Sequence, residues 1–153
     1  MGAGCCAMAQ RKGLHMSKLD EARAWAREVV NGVGVNKNAE HIWANHFGQS
    51  REQLLSRIGE VQSSTTFDAE YFFDIEDMLV EALTDFYEDI EDWKPVKAND
   101  AFAFSWDAGE RIGWGFKTLR NGRLIEVVCE KVRLAVKKTS YGDTYLRSCY
   151  PVE

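Results

Sequence analysis

The chain has no apolar run approaching the ~18 residues of a membrane span, so no transmembrane helix is expected in its 153 residues. The opening MGAGCCAMAQRKGLHM has no apolar h-region, which excludes a signal peptide of the usual kind there. Cysteine is scarce. With Cys5 and Cys6 in that opening stretch, only Cys129 and Cys149 remain, too few for a disulfide framework and without the CxxC spacing of zinc sites. Either one Cys129–Cys149 bridge between neighbouring strands or two buried free thiols is expected. There is no Walker loop and no dinucleotide fingerprint, and the glycines of GERIGWGF fall in strand context rather than before a helix. No nucleophile-elbow glycine pattern is present either. The opening stretch ends in a His-Met pair of the kind left by cloning. Residues 1–15 are therefore read as an expression leader, and residues 16–153 as one domain, long enough to bury a core without staples.

What is present is an uneven distribution of charge. A net charge of −5 argues against a nucleic-acid binder, yet residues 68–92 alone hold eleven of the 24 acidic residues and no Lys or Arg. Residues 94–153 hold eleven basic and seven acidic residues, and residues 1–67 eight basic and six acidic. Outside the acidic segment the chain thus sums to +6, a field able to draw a polyanion to one face.

Periodicity divides the chain into a helical half and a strand half. A helix starts at Ser17 and runs through LDEARAWAREVV until NGVGVNKN stops it. AEHIWANHF reads as a short helix ended by Gly48, and Ser50 with Gln53 forms a capping box for a third helix, REQLLSRI. SSTTF is strand or loop. Across residues 68–93 Phe72, Ile75, Leu79, Ala82, Phe86, Ile90 and Trp93 recur every three or four positions, which predicts one amphipathic helix with its carboxylates toward water and Pro95 as its end. After Pro95 the period falls to about 2. DAFAFSW, ERIGWGFKT, RLIEVVCEKVRLAVKK and DTYLRSCYPV read as antiparallel strands joined at Asp107-Ala-Gly109, Asn121-Gly122 and Tyr141-Gly142-Asp143. The apolar phase jumps between Cys129 and Val132, which predicts a bulge at Glu130-Lys131. Helices first and an antiparallel strand meander afterwards define an α+β fold.

The stretch AEHIWANHFGQSREQLLSRIG holds His41 and His46, with Arg57 eleven residues further on. Zinc chelation from one helix wants a spacing of four, whereas a spacing of five sets the rings ~140° apart at ~100° per residue. The remaining histidine, His15, lies in the leader. Neither metal nor cofactor is expected. A histidine can instead serve metal-free RNA cleavage by the neighbouring 2′-hydroxyl, which needs a base, an acid and donors aimed at the crowded phosphate. His46, Arg57 and hydroxyls of the last strand supply those chemical types, although a helix histidine is more often structural.

HIWANHFGQSREQLLSRI resembles a pattern of two histidines five apart, a Val-Gly pair, and a leucine-rich helix ending in arginine. RSCYPV resembles the closing Thr-x-Tyr-Pro of the same family, and FSWDAGERIGWGF and RLIEVVCEKVRLAVKK lie between them in the expected order. Over roughly residues 39–152 the chain is similar to the bacterial ribonuclease A-like toxin domain found at the C-termini of contact-dependent growth inhibition proteins. The resemblance implies an α+β domain with two small antiparallel sheets and a cleft between its two lobes. It also implies a metal-independent endoribonuclease toxin, delivered as part of a larger protein to act in bacterial cytoplasm. A cognate immunity protein and an RNA substrate are the implied partners, with a monomeric domain and no membrane contact.

By motif position the catalytic residues would be His46, Arg57, Ser148 and Tyr150, with Ser148 standing where the family has threonine and Phe47 where it has valine. Strand alternation sets Ser148 and Tyr150 on one face and Cys149 on the other. His41 is either a polar support or a second proton-transfer group. Arg57 has the alternative role of a helix C-terminal cation, and Tyr150 that of a core tyrosine. Trp114 and Phe116 share a face with Ile112 and read as core, while Lys117 and Arg133 are plausible phosphate contacts that no motif distinguishes. The alternative function is a non-catalytic interaction protein that uses its acidic helix to bind a basic partner.

Overall fold

In the computed structural model, which describes residues 16–31, 46–59, 61–71, 74–95, 101–139 and 141–153, the helical half comes first. Helix α1 (Met16–Asn31) buries Leu19, Ala22, Ala26, Val29 and Val30 along one stripe. Helix α2 (Arg51–Arg57) starts at the expected capping box: Ser50 Oγ accepts from the Gln53 N–H at 3.1 Å, and Gln53 Oε1 accepts from the Ser50 N–H at 2.8 Å. SSTTF is strand β1 (Ser63–Phe67). The helix expected over AEHIWANHF lies outside the described residues up to Asn45, as does Phe72.

The single acidic helix expected over residues 68–93 is three pieces: a 3₁₀ turn at Ala69–Tyr71, α3 (Ile75–Asp85) and α4 (Tyr87–Trp93). The break falls at Phe86, whose φ of −105° and ψ of 13° leave the helix. Packing accounts for it. The Phe86 ring stacks on Phe104 with centroids 4.1 Å apart, and Asp85 accepts from the Trp106 indole N–H at 2.8 Å, while Leu83 and Ile90 on either side stay buried.

Nor are the carboxylates of this segment simply solvated. Asp77, Glu81 and Glu88 face Arg27, Arg23 and Lys18 of α1 at 3.6, 3.8 and 3.9 Å, and Asp68 holds Arg111 through both carboxylate oxygens. Each α1 pair is exposed and contributes about 0–1 kcal/mol at most. They flank the buried apolar seam, with Ala26, Val29, Leu79 and Leu83, along which α3 packs on α1.

The strand half, together with β1, forms two antiparallel three-stranded sheets. Sheet 1 has the order β1-β3-β4, with β3 (Gly113–Thr118) and β4 (Leu124–Cys129) joined by the expected Asn121-Gly122 hairpin turn. Sheet 2 has the order β2-β5-β6, from β2 (Phe102–Asp107), β5 (Lys131–Lys138) and β6 (Thr144–Val152). The expected bulge at Glu130-Lys131 is instead a change of sheet. Cys129 ends β4 in sheet 1 and Lys131 opens β5 in sheet 2, so the jump in apolar phase marks two strands with two different inner faces. The true register shift lies further on, between Ala135 and Val136 opposite β6.

The core lies between α1, α3 and α4 on one side and one face of sheet 2 on the other, where Phe104, Val132, Leu134, Val136, Leu146 and Cys149 point. Helix α2 lies against sheet 1 and buries Leu54 completely. Cys129 and Cys149 are both free and buried, so the bridge expected as one alternative does not form. Burial pushes the Cys129 thiol up to about 12 and raises the Cys149 thiol as well, which leaves both inert as nucleophiles. Among the described residues no helix is long and apolar enough to cross a membrane.

The glycines of GERIGWGF mark a close approach of backbones. A Cβ on Gly115 would lie 2.2 Å from the Ser64 carbonyl oxygen, and one on Gly113 would lie 2.4 Å from the Thr66 oxygen and 2.9 Å from Pro151 Cγ of β6. Gly115→Ala is therefore expected to lower stability by roughly 1–3 kcal/mol, since the obstacle is backbone and cannot step aside. Urea unfolding of the variant at the wild-type midpoint would contradict this packing.

Candidate active site

Two segments distant in sequence meet where the sheets meet. The first is residues 46–49, laid along the end of β1. Phe47 bridges Phe67, the Gly48 N–H donates to the Phe67 carbonyl at 3.2 Å, and the Gln49 N–H donates to Thr66 Oγ1 at 3.0 Å. Phe47 and Phe67 place their rings 6.2 Å apart, with Phe67 fully buried. Gly48 has φ of 60°, the left-handed conformation that turns the chain out of the helical His46 and into α2. His46 is thereby held by its successors at the edge of sheet 1.

The second segment is the end of β6. Thr65 of β1 donates its hydroxyl to the Pro151 carbonyl at 2.6 Å, a buried bond between the two sheets. Tyr150 precedes that anchor, and its ring lies 5.6 Å from the His46 imidazole, centroid to centroid, with the planes tilted by 33°. The predicted alternation along β6 is observed. Cys149 is buried against the helices, whereas Ser148 and Tyr150 are half-buried on the opposite, open face of sheet 2.

Of the four residues expected to form the site, His46 and Tyr150 are therefore in contact and Ser148 shares the face of Tyr150. Arg57 closes α2, half-buried and three positions after Leu54, on a helix that lies against β1 and β3. His41 lies outside the described residues. Phe116 is core, as expected, with Arg51 above its ring at 4.8 Å, and Lys117 is engaged by Glu153. The Thr65–Pro151 bond had no signal in the sequence, because nothing in SSTTF or YPV announces which strands will touch.

The structure thus sets an imidazole and a phenol side by side, a hydroxyl on the phenol's strand face, and a cation at the end of a helix that packs on sheet 1. The family model described as the bacterial CdiA-CT RNAse A domain matches residues 40–151, and the chain belongs to that family of ribonuclease toxins. The fold is similar to a chain in the crystal structure of the CdiA-CT/CdiI complex from Y. kristensenii 33638, with a TM-score of 0.58 and 16% identity over 74% of this chain and 99% of that one. No curated protein matches the chain in sequence.

The ring contact is directly testable. Tyr150→Ala should shift the His46 ring-proton resonances by removing a neighbouring aromatic ring, whereas Tyr150→Phe should leave them nearly in place. Unchanged His46 signals in Tyr150→Ala would mean that the two rings do not meet in solution.

Proposed function

We propose that the protein is a metal-independent endoribonuclease toxin that cleaves RNA by attack of the 2′-hydroxyl on the adjacent phosphate. The observation that carries the reading is the contact of His46 with Tyr150 at the junction of the two sheets. In this mechanism His46 moves the proton, as an imidazole can in both directions near neutral pH. The 2′-oxygen bonds to phosphorus, the bond from phosphorus to the 5′-oxygen breaks, and that oxygen leaves with a proton. Arg57 neutralises charge on the crowded phosphate, and Ser148 and Tyr150 donate hydrogen bonds to it. Tyr150 is also a candidate for the second proton transfer, as is His41.

The acidic segment does not stand in the way. Its helices cover the face of sheet 2 opposite Tyr150, and several of its carboxylates are engaged by α1 and by Trp106. This engagement also weakens the rival reading of a non-catalytic protein that offers the acidic helix to a basic partner. Membership of the CdiA-CT family supports delivery into a target cell and neutralisation by a cognate immunity protein, as does the CdiA-CT/CdiI complex formed by the structural relative. The domain would act as a monomer in bacterial cytoplasm.

Wild-type protein should cleave RNA with a bell-shaped pH profile that EDTA does not alter. His46→Ala should lower the rate by ~10²–10⁴-fold while RNA affinity stays near that of wild type. Arg57→Ala should weaken binding and rate together, with a binding loss that shrinks as salt rises. A purified His46→Ala protein that cuts RNA as fast as wild type would sink the assignment, and a wild type inert toward RNA would return the interaction reading.

A further inference from the structure

Strand pairing places an arginine beside the proposed site. Arg133 of β5 lies directly across from Tyr150 of β6 on one side and from Ser105 of β2 on the other. Opposed residues in antiparallel strands share a face, with Cβ atoms about 4.5–5.5 Å apart. Ser105, Arg133 and Tyr150 therefore form one row across the open face of sheet 2, and the row ends at the ring that touches His46.

The surroundings of Arg133 fit an anion better than a structural ion pair. Its Nη1 donates to Ser105 Oγ at 3.1 Å, a neutral partner that orients the guanidinium without neutralising it. Among the described residues no carboxylate lies within ion-pairing distance of Arg133, whereas Arg51 and Arg111 each hold an acid. The next row toward β6's start is Ala103, Ala135 and Ser148, two methyl groups and a hydroxyl. The side chains of that row are short, so the row itself stands low beside Arg133. The opposite face of the sheet is closed by the helices.

We infer that Arg133, oriented by Ser105, grips a phosphodiester of the RNA chain neighbouring the one that is cut, so that the open face of sheet 2 carries the substrate strand. This rests on the ribonuclease reading above. Arginine suits the task because its planar fork matches phosphate oxygens and keeps its charge at any working pH. Among the cations of the strand half, Arg133 is the one that pairing puts in the same row as Tyr150.

The test uses binding, so that it stands apart from turnover. A fluorescent single-stranded oligonucleotide with 2′-O-methyl groups cannot be cleaved by the proposed route and serves as the probe. Arg133→Gln should weaken its binding roughly three- to tenfold and lower the slope of log affinity against log salt by about 0.7, the share of one phosphate contact on a single strand. Arg133→Lys, which keeps the charge but not the fork, should fall between the two. Arg120→Gln makes the same charge change on the exposed hairpin turn of sheet 1, and it should change binding much less. The inference is overturned if Arg133→Gln matches wild type or Arg120→Gln in both affinity and salt slope, or if the wild type does not bind the probe. Arg133-dependent binding by a wild type that cuts no RNA would keep this contact and remove the ribonuclease reading. Normal cleavage with an Arg133 variant that binds like wild type would do the reverse.

Discussion

The buried hydrogen bond from Thr65 Oγ1 to the Pro151 carbonyl, 2.6 Å long, ties together two sheets whose strands otherwise pair only within their own sheet. Its net contribution is of the order of 1 kcal/mol, but breaking it would strand a buried polar group at greater cost. Its importance is positional. Thr66, the next residue of β1, accepts from Gln49 and so holds the His46 segment, while Pro151 follows Tyr150 directly. A proline suits this spot because β6 is the edge strand of sheet 2 and need not donate an N–H there. The absence of a Cβ on Gly113 lets β1, β3 and Pro151 approach closely enough for the bond to form.

From that junction follows a division of the molecule into two electrostatic sides. The −11 segment is folded onto α1 and covers one face of sheet 2, so its field is partly neutralised by Lys18, Arg23 and Arg27 before it reaches the other face. The open face carries Arg133, Ser148 and Tyr150. An acidic protein can therefore offer a polyanion a favourable approach, which the net charge of −5 by itself would deny. The buried thiols take no part: Cys149 belongs to the helix-facing side of β6, and its burial keeps it protonated.

Much of this was legible in the residues, for reasons that differ by element. The capping box at Ser50 and Gln53 and the Asn121-Gly122 turn are local chemistry, and local chemistry survives into the fold. The alternation that sets Ser148 and Tyr150 opposite Cys149 depends only on the pleat, so it too could be read directly. The site motifs around His46 and Tyr150 carried the family. What the sequence could not show was pairing. The run from Leu124 to Lys138 kept its β character throughout, and only the partner strands reveal that it serves two sheets and not one bulged strand. The acidic helix read as continuous because Phe86 keeps the apolar period; its break answers to Phe104 and Trp106, which lie on a strand that periodicity cannot place beside it. Arg133 was one cation among many until the register set it across from Tyr150.

The central claim is that the His46–Tyr150 pair catalyses transfer of the phosphate to the neighbouring 2′-oxygen. The chemistry of the cut ends tests it most directly. Mass spectrometry of a short RNA digested by the wild-type protein should find 2′,3′-cyclic phosphate on one fragment and a 5′-hydroxyl on the other, with no cut where the attacking 2′-hydroxyl is replaced by hydrogen. Fragments ending in 5′-phosphate and 3′-hydroxyl, or cleavage that persists at the 2′-deoxy position, would contradict the account.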